Sequence, residues 1–554
     1  MTMLKRVLGS LLVPSVLVVA GLVVASAQPA PGADQTPAVA KPAAKSPSPV
    51  PQARGPRPEQ FKYVPLDFKP PNPSDFRSSL SNGLVVYIAE DHEIPWFSAT
   101  LLSPVAPSGG GGGRGRGADV AARQGPGGGG GGPRWFLEPR DKLGVQNLTG
   151  IVMRTGGTAT MTGEQINERM DFLAGSVSAT NLSIHMRHVD EGLKIWMDIV
   201  SNPTFPEDKL RREKDTLLVG IRNRNRNISN VARRTYERLL YGDDSPITAE
   251  ATEAITNGIT RDDLVAWHKK YWGANNAILV VAGDFKKSEM LQKLEATFGK
   301  WRTAEKAVPN TPKVQQAAHG GVYMVQPQGT TPNQGIIMIG HLGLTQDDPD
   351  FPAVDLMNYT LGGGSFSSRI TKIVRTDNGL AYTTNSSFSA EPHFPGTFQA
   401  FCQTKNATVV FAAQLMLNEI ERMRAGEVTA RDLQFAKTAR LNAFPAMFST
   451  IFGNITNFAR LELEDRPRDY YGTYIARYQK VTLADVKRVG QKYLLPDKTV
   501  IMVAGNIEEC RAGADKMLPN QPTIEAMAAR FGGRAIEGLA KKYGDGQVHI
   551  VQLR

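Results

Sequence analysis

Cysteine is nearly absent: Cys402 and Cys510 are the only two in 554 residues, which excludes a disulfide-rich scaffold and a thiolate metal cluster and allows one intrachain disulfide at most. Histidine is scarce too, with eight. Six of these, His92, His268, His319, His341, His393 and His549, show no ligand spacing. His185 and His188 stand three apart, but the alternation around them predicts a strand, on which that spacing sends the rings to opposite faces. Ser365 and Ser367 lack the Gly-x-Ser-x-Gly form of a nucleophile elbow. The glycine runs between Ser108 and Pro133 are not followed by Gly-Lys-Ser/Thr, so a phosphate-cradling loop is not indicated. No stretch beyond residue 25 is apolar for long enough to cross a bilayer.

Charge is in excess of one sign, +11 overall, but it is spread along the chain. Its densest cluster, Arg222, Arg224, Arg226, Arg233 and Arg234, has no interleaved aromatics and no nucleic-acid motif, and reads as a solvated helical face. Nucleic acid is therefore not an expected partner.

What is present begins with an export signal. Lys5 and Arg6 precede an apolar stretch from Val7 to Ala25, and Ala25-Ser26-Ala27 stands ahead of Gln28, so residues 1–27 are predicted to be a cleaved signal peptide and the mature chain periplasmic or secreted. The competing reading is an uncleaved anchor, against which Pro14 and the Ala-x-Ala site both count. Residues 28–59, rich in Pro, Ala, Ser and Lys, bury too little apolar surface to offset chain entropy and are expected to be a disordered tether. The remaining length, about 480 residues, exceeds what one core usually serves and implies at least two domains.

Those domains are copies of each other. Ile259–Phe285 and Val481–Ile507 match without gaps at a constant offset of 222 residues: Thr260 with Thr482, Asp263 with Asp485, Lys270-Tyr271 with Lys492-Tyr493, Val281-Ala282-Gly283 with Val503-Ala504-Gly505. A period this long indicates duplication of a whole domain, not a solenoid. In each copy a threonine is placed to cap a helix and a β-branched run then reads as a buried strand. The first copy opens at Asn82-Gly83, a turn leading into Leu84-Val85-Val86-Tyr87, and the second with a strand around Val322–Val325. Between these ends lie amphipathic helices: Thr162-Gly-Glu-Gln165 is a capping box followed by Ile166, Met170 and Leu173 on one face, and Leu193, Trp196, Met197 and Val200 form a stripe that stops at Pro203.

The fold expected is α+β, two homologous lobes, each a mostly antiparallel sheet packed with layered helices. The first lobe spans 60–301, with a Gly-rich insertion at 108–133 predicted to leave from a surface turn. A linker follows at 302–319, the second lobe at 320–507 and a C-terminal tail at 508–554, whose Ile524–Tyr543 stretch is amphipathic. Gly362–Gly364 read as a loop feeding a helix that bears Arg369.

The order of several motifs resembles the pitrilysin/insulinase zinc peptidases and mitochondrial processing peptidase: the Asn82-Gly83-Leu84 strand, Glu138-Pro139-x-x-Lys142-x-Gly144, Pro203-x-Phe205, and Ser367-Ser368-Arg369 to Gly379-Leu380-Ala381-Tyr382. The likeness covers roughly 75–507. In active relatives the helix after the Gly144-like glycine carries His-x-x-Glu-His: two imidazoles one turn apart grip zinc, the Glu takes a proton from the metal-bound water, and a distal Glu completes the ligands. Aligned on Gly144-Val145-Gln146, this chain has Asn147 and Ile151 at the two His positions and Gly150 at the base. Gly220 stands at the distal Glu. The resemblance therefore implies no cofactor in this chain, with zinc expected only in a partner subunit.

In the family this resembles, the two lobes enclose a chamber, and several bacterial and mitochondrial members resemble heterodimers in which one subunit carries zinc and the other contacts substrate. This implies a zinc-bearing paralogous peptidase as partner and peptides as substrates. Arg369 and Tyr382 match the second-lobe signature and are the candidate substrate-binding residues, by donating to carboxylates or carbonyls; a surface charge and a packing aromatic are the competing roles. A metal-free peptide-binding or structural scaffold, and an active metallopeptidase with an atypical zinc site, stay open.

Overall fold

The computed structural model describes residues 68–106, 136–311, 313–513 and 536–554. The expected signal peptide, tether and Gly-rich insertion lie outside them, as does most of the Ile524–Tyr543 stretch. In the first lobe, β1 (Arg77–Ser79), β2 (Val85–Glu90), β3 (Trp96–Leu102), β4 (Ser176–Val177), β5 (Asn181–His185) and β6 (Ile278–Gly283) form one sheet in the order β1-β2-β6-β3-β5-β4. Only the β2–β6 pair is parallel. Gly83 makes the β1–β2 turn with φ 86°, a left-handed conformation that an asparagine-glycine pair supplies without strain.

The second lobe repeats this plan with β7 (Gly321–Val325), β8 (Gln334–Leu342), β10 (Thr384–Phe388), β12 (Thr397–Lys405), β13 (Val500–Ala504) and β14 (Val548–Ile550), ordered β14-β7-β13-β8-β12-β10. A separate two-stranded piece joins β9 (Leu344–Thr345) to β11 (Ala390–Glu391). β6 and β13, the strands of the duplicated stretches, hold equivalent central places. The sixth strand, β14, comes from the expected tail, not from 320–507. It pairs parallel to β7, where the first lobe uses the antiparallel β1.

Helices cover the sheets in chain order: α1 (Val145–Thr155), α2 (Gly163–Phe172), α3 (Val189–Ser201), α4 (Glu207–Asn223), α5 (Ile228–Tyr241), α6 (Arg261–Tyr271) and α7 (Lys287–Phe298) from the first copy. The second supplies α8 (Phe351–Asn358), α9 (Val409–Arg424), α10 (Ala430–Ala443), α11 (Ile451–Leu463), α12 (Tyr474–Lys480), α13 (Leu483–Tyr493) and α14 (Ile536–Tyr543). Thr162, Thr260, Thr429 and Thr482 each accept a hydrogen bond from the third residue of their helix, whose side chain returns to the cap, so all four starts are capping boxes.

The lobes are not self-contained. Strand residues alternate between faces: Val86, Ile88, Leu279 and Val281 face the first lobe's own helices, while Tyr87, Ala89, Ile278, Val280 and Ala282 face Ile455, Phe458 and Ala459 of α11, a second-copy helix. The exchange is reciprocal. Ile337, Ile339, Ile501 and Val503 point into the second lobe's main core; Ile336, Met338, Val500 and Met502 pack on Val231, Ala232, Tyr236 and Leu240 of α5, a first-copy helix. That is why β6 and β13 are apolar without alternation: each is buried on both faces.

Polar groups lock the exchange. Glu462 on α11 accepts from Arg77 Nε at 2.8 Å and from the buried Tyr87 hydroxyl at 2.7 Å, and Tyr236 donates to the Phe398 carbonyl at 2.7 Å. Cys402 and Cys510 are both buried free thiols; burial pushes each up to about 12. Among the described residues no helix is long and apolar enough to cross a membrane.

Arg222, Arg226 and Arg233 of the arginine cluster are exposed, as a solvated face requires, while Arg224 is half-buried and Arg234 buried. Arg222 pairs with Glu253 at 2.7 Å, Arg233 with Glu237 at 3.1 Å, and Arg224 lies 3.7 Å from Glu250. Arg234 is buried and held by Glu250. Glu237 on α5 and Glu250 and Glu253 after it pair with these arginines, which a linear reading of charge runs does not register.

Candidate functional site

α1 is built to start after Gly144, which adopts φ 100°. The Glu138 carboxylate accepts from the backbone N–H of Gly144 at 3.1 Å and of Gln146 at 2.6 Å, capping the helix in place of an N-cap side chain. Burial raises the Glu138 pKa against those two bonds. This gives Glu138-Pro139-x-x-Lys142-x-Gly144 a structural role, and Lys142 adds an ion pair to Asp263 at 2.8 Å.

α1 packs on α4, so the four positions that the resemblance assigns to zinc chemistry sit on neighbouring helices. Asn147 and Ile151 are half-buried, Gly150 is buried and Gly220 is exposed. A methyl group at Gly220 would meet nothing within 4 Å, so no packing constraint requires glycine there. The preceding residue to Gly150, Thr149, has a fully buried hydroxyl with no hydrogen-bond partner. One amide and one hydroxyl without imidazole, carboxylate or thiolate do not fit zinc. Among the described residues, no three His, Cys, Asp or Glu side chains are grouped as a metal site requires.

His185 and His188 correct their strand reading. β5 ends at His185, and Met186–His188 is a 3-10 turn whose Arg187 N–H donates to His185 Nδ1 at 3.2 Å. The turn brings the two rings to 6.3 Å, edge to face, instead of to opposite sides. Among the described residues the pair gains no third ligand. His268 and His341 are core histidines: His268 Nε2 donates to the Val200 carbonyl at 2.8 Å, and His341 donates from Nδ1 to Leu342 O at 2.8 Å while Nε2 accepts from Leu495 N at 3.1 Å. Burial pulls both down to about 4.

In the second lobe the loop expected at Gly362–Gly364 is a π-helical turn, Tyr359–Gly363, that continues α8. A side chain on Gly362 would collide with Ser386 of β10, and one on Gly364 would lie 2.6 Å from the Tyr359 carbonyl. These glycines permit close packing. Arg369 follows in a short turn and is anchored inward: Nη2 donates to Asp432 at 3.2 Å, Nη1 is buried without a partner, and Asp432 also closes the α10 capping box.

Tyr382 is 81% exposed, and the cation beside it is Arg375, not Arg369. A second π-helical stretch, Lys372–Asp377, carries Arg375. Gly379, at φ 61°, then reverses the chain, with Gly379 N bonded to Arg375 O and Leu380 N to Val374 O, both at 3.0 Å. This returns Tyr382 to the arginine. The Arg375 guanidinium lies 4.4 Å from the ring centre of Tyr382 and 4.4 Å from that of Phe366, itself 63% exposed. Sequence reasoning missed Arg375 and Phe366; the signal was the seven-residue step from Arg375 to Tyr382 across a left-handed glycine.

Residues 258–440 match the family described as Peptidase M16 inactive domain. The matched stretch runs from the end of the first lobe into the second and resembles that family. Curated relatives include an uncharacterized zinc protease of Rickettsia bellii, 24% identical over 51% of this chain and 68% of the relative. The non-peptidase homolog YmxG of Helicobacter pylori is 22% identical over 63% and 82%. A probable mitochondrial-processing peptidase subunit beta of Arabidopsis thaliana is 21% identical over 64% and 69%. Among solved structures, a peptidase M16 inactive domain from Pseudomonas fluorescens superposes with TM-score 0.60 at 23% identity, over 80% of this chain and 99% of that one. A putative M16-like peptidase from Alicyclobacillus acidocaldarius gives 0.60 at 15% identity with the same coverage. These superpositions show the two-lobed α+β fold.

Proposed function

We propose that this chain is an M16 homologue serving as the non-catalytic, substrate-binding subunit of a heteromeric zinc peptidase that acts on peptides outside the cytoplasm. The observation that carries the reading is the donor set at Asn147, Gly150, Ile151 and Gly220, on two packed helices where the resemblance asks for two imidazoles and two carboxylates. The matched domain is described as inactive, and one relative is named a non-peptidase homolog. The likeness to a mitochondrial-processing peptidase subunit supports a zinc-bearing paralogue as partner, and the signal peptide predicted from residues 1–27 supports a periplasmic or secreted site.

The substrate contact of this reading is the exposed Phe366-Arg375-Tyr382 stack. Two rings orient the guanidinium without neutralising it, so its N–H groups serve a peptide carbonyl or carboxylate that approaches from the edge. Arg369 positions the turn from beneath. The test mixes purified chain with a peptide library, with and without the zinc-bearing paralogue. Cleavage is expected only in the mixture, with KM raised about two- to fivefold by Tyr382→Ala, the loss of roughly one exposed cation–π contact. Strong chelator-sensitive cleavage by this chain alone contradicts the reading.

A further inference from the structure

The two exchanged helices are each clamped by the outermost strand of the sheet that receives them. On the first sheet this strand is β1: Phe76, just ahead of it, stacks on Phe458 of α11 at 6.0 Å, and Arg77 grips Glu462 at the C-terminal end of the same helix. On the second sheet the equivalent place is held by β14, from the opposite end of the described chain. Val551 N donates to Met324 O at 2.8 Å just beyond the strand, and Val551 and Leu553 pack against the cluster formed by α5. The Arg554 carbonyl accepts from Asn225 Nδ2 at 3.0 Å, ahead of α5, and the Arg554 guanidinium reaches Asp243, behind it, at 3.1 Å.

The clamps differ in strength. The Arg77–Glu462 pair is partly buried, doubly bonded and shared with the Tyr87 hydroxyl. The Arg554–Asp243 pair is exposed on both sides, and surface pairs of this kind contribute little. What holds the second clamp is a three-residue edge strand, His549 stacked on Tyr323 at 5.1 Å, Val548 against the main core, and the two half-buried side chains of Val551 and Leu553. The same helix end also anchors the linker, because Ala317 N and Ala318 N donate to Leu240 O and Leu239 O.

We propose that residues 548–554 are a releasable strap that holds the first-copy helix α5 on the second-lobe sheet, so that strap attachment sets how firmly the two lobes are joined. The proposal is independent of whether the chain binds peptides. Hydrogen exchange of the full chain tests it, comparing wild type with a Val551→Asp/Leu553→Asp variant. Amides of 228–241, with Ala317 and Ala318, are expected to exchange at least about tenfold faster once the strap's aliphatic contacts are gone, while 451–463 keep wild-type protection. A synthetic peptide of residues 545–554 added in trans is expected to restore protection to 228–241. Freely exchanging 548–551 beside an unchanged α5 overturns the proposal, and so does equal loss at both helices. Leu553→Ala, read by the same comparison, decides the matter where the double variant does not fold.

Discussion

Replacing Phe458 by alanine tests the helix exchange directly, because the residue belongs to the second copy yet fills the first lobe. Its ring is 1% exposed and packs in one cluster with Tyr87, Ala89, Ile278, Val280 and Ala282. Truncating a buried phenylalanine costs about 3–5 kcal/mol through lost burial and the cavity left behind. In hydrogen exchange limited by local opening, that corresponds to roughly 10²- to 10⁴-fold faster exchange. The acceleration is expected in β2 and β6, about 170 or more residues from the substitution along the chain. The mirror substitution, Leu240→Ala on α5, is expected to loosen β8 and β13 instead, at a cost of about 2–5 kcal/mol. Were each variant to lose protection only in the sheet of its own copy, the exchange would be refuted.

Other outcomes follow from single residues. His268 and His341 are held at about 4 by burial, below the ordinary imidazole value. The unfolded chain therefore binds more protons between about pH 6.5 and 4, and each histidine removes up to about 3 kcal/mol of stability as pH falls through that window. Denaturant midpoints from pH 7.5 to 4.5 read this, and His341→Gln is expected to flatten the slope by about half; an unchanged slope counts against it. The two glycines diverge: Gly362→Ala, which collides with Ser386, is expected to cost about 1–3 kcal/mol, whereas Gly220→Ala, in open space on a helix, is expected to stabilise by about 0.5–1 kcal/mol in thermal melts. Glu138→Ala removes the acceptor for two N–H groups and is expected to lower stability by about 1–2 kcal/mol, read as reduced α1 protection.

The duplication was legible because its signals are local: a capping threonine, an acidic residue three positions on, and a β-branched run. The doubly buried β6 was legible as a core strand, but an apolar run does not name what covers each face, so the crossing of α5 and α11 was not. β14 escaped notice because three alternating residues in a tail carry little periodicity. The positions of Asn147, Gly150, Ile151 and Gly220 came from the resemblance, carried over at Gly144-Val145-Gln146 and at the helix after Phe205; those two helices lie side by side. Arg375 did not follow, since its pairing with Tyr382 depends on a left-handed turn at Gly379. The histidine pair misled because β5 gives way to a 3-10 turn immediately after His185, where the two-residue period ends.

Metal stoichiometry of the purified chain, after dialysis against excess zinc and then metal-free buffer, bears most directly on the whole account. Elemental analysis is expected to find far less than one zinc per chain, since an amide, two glycines and an isoleucine provide no ligand set. One tightly held zinc per chain, lost on substitution within α1 or α4, would contradict it.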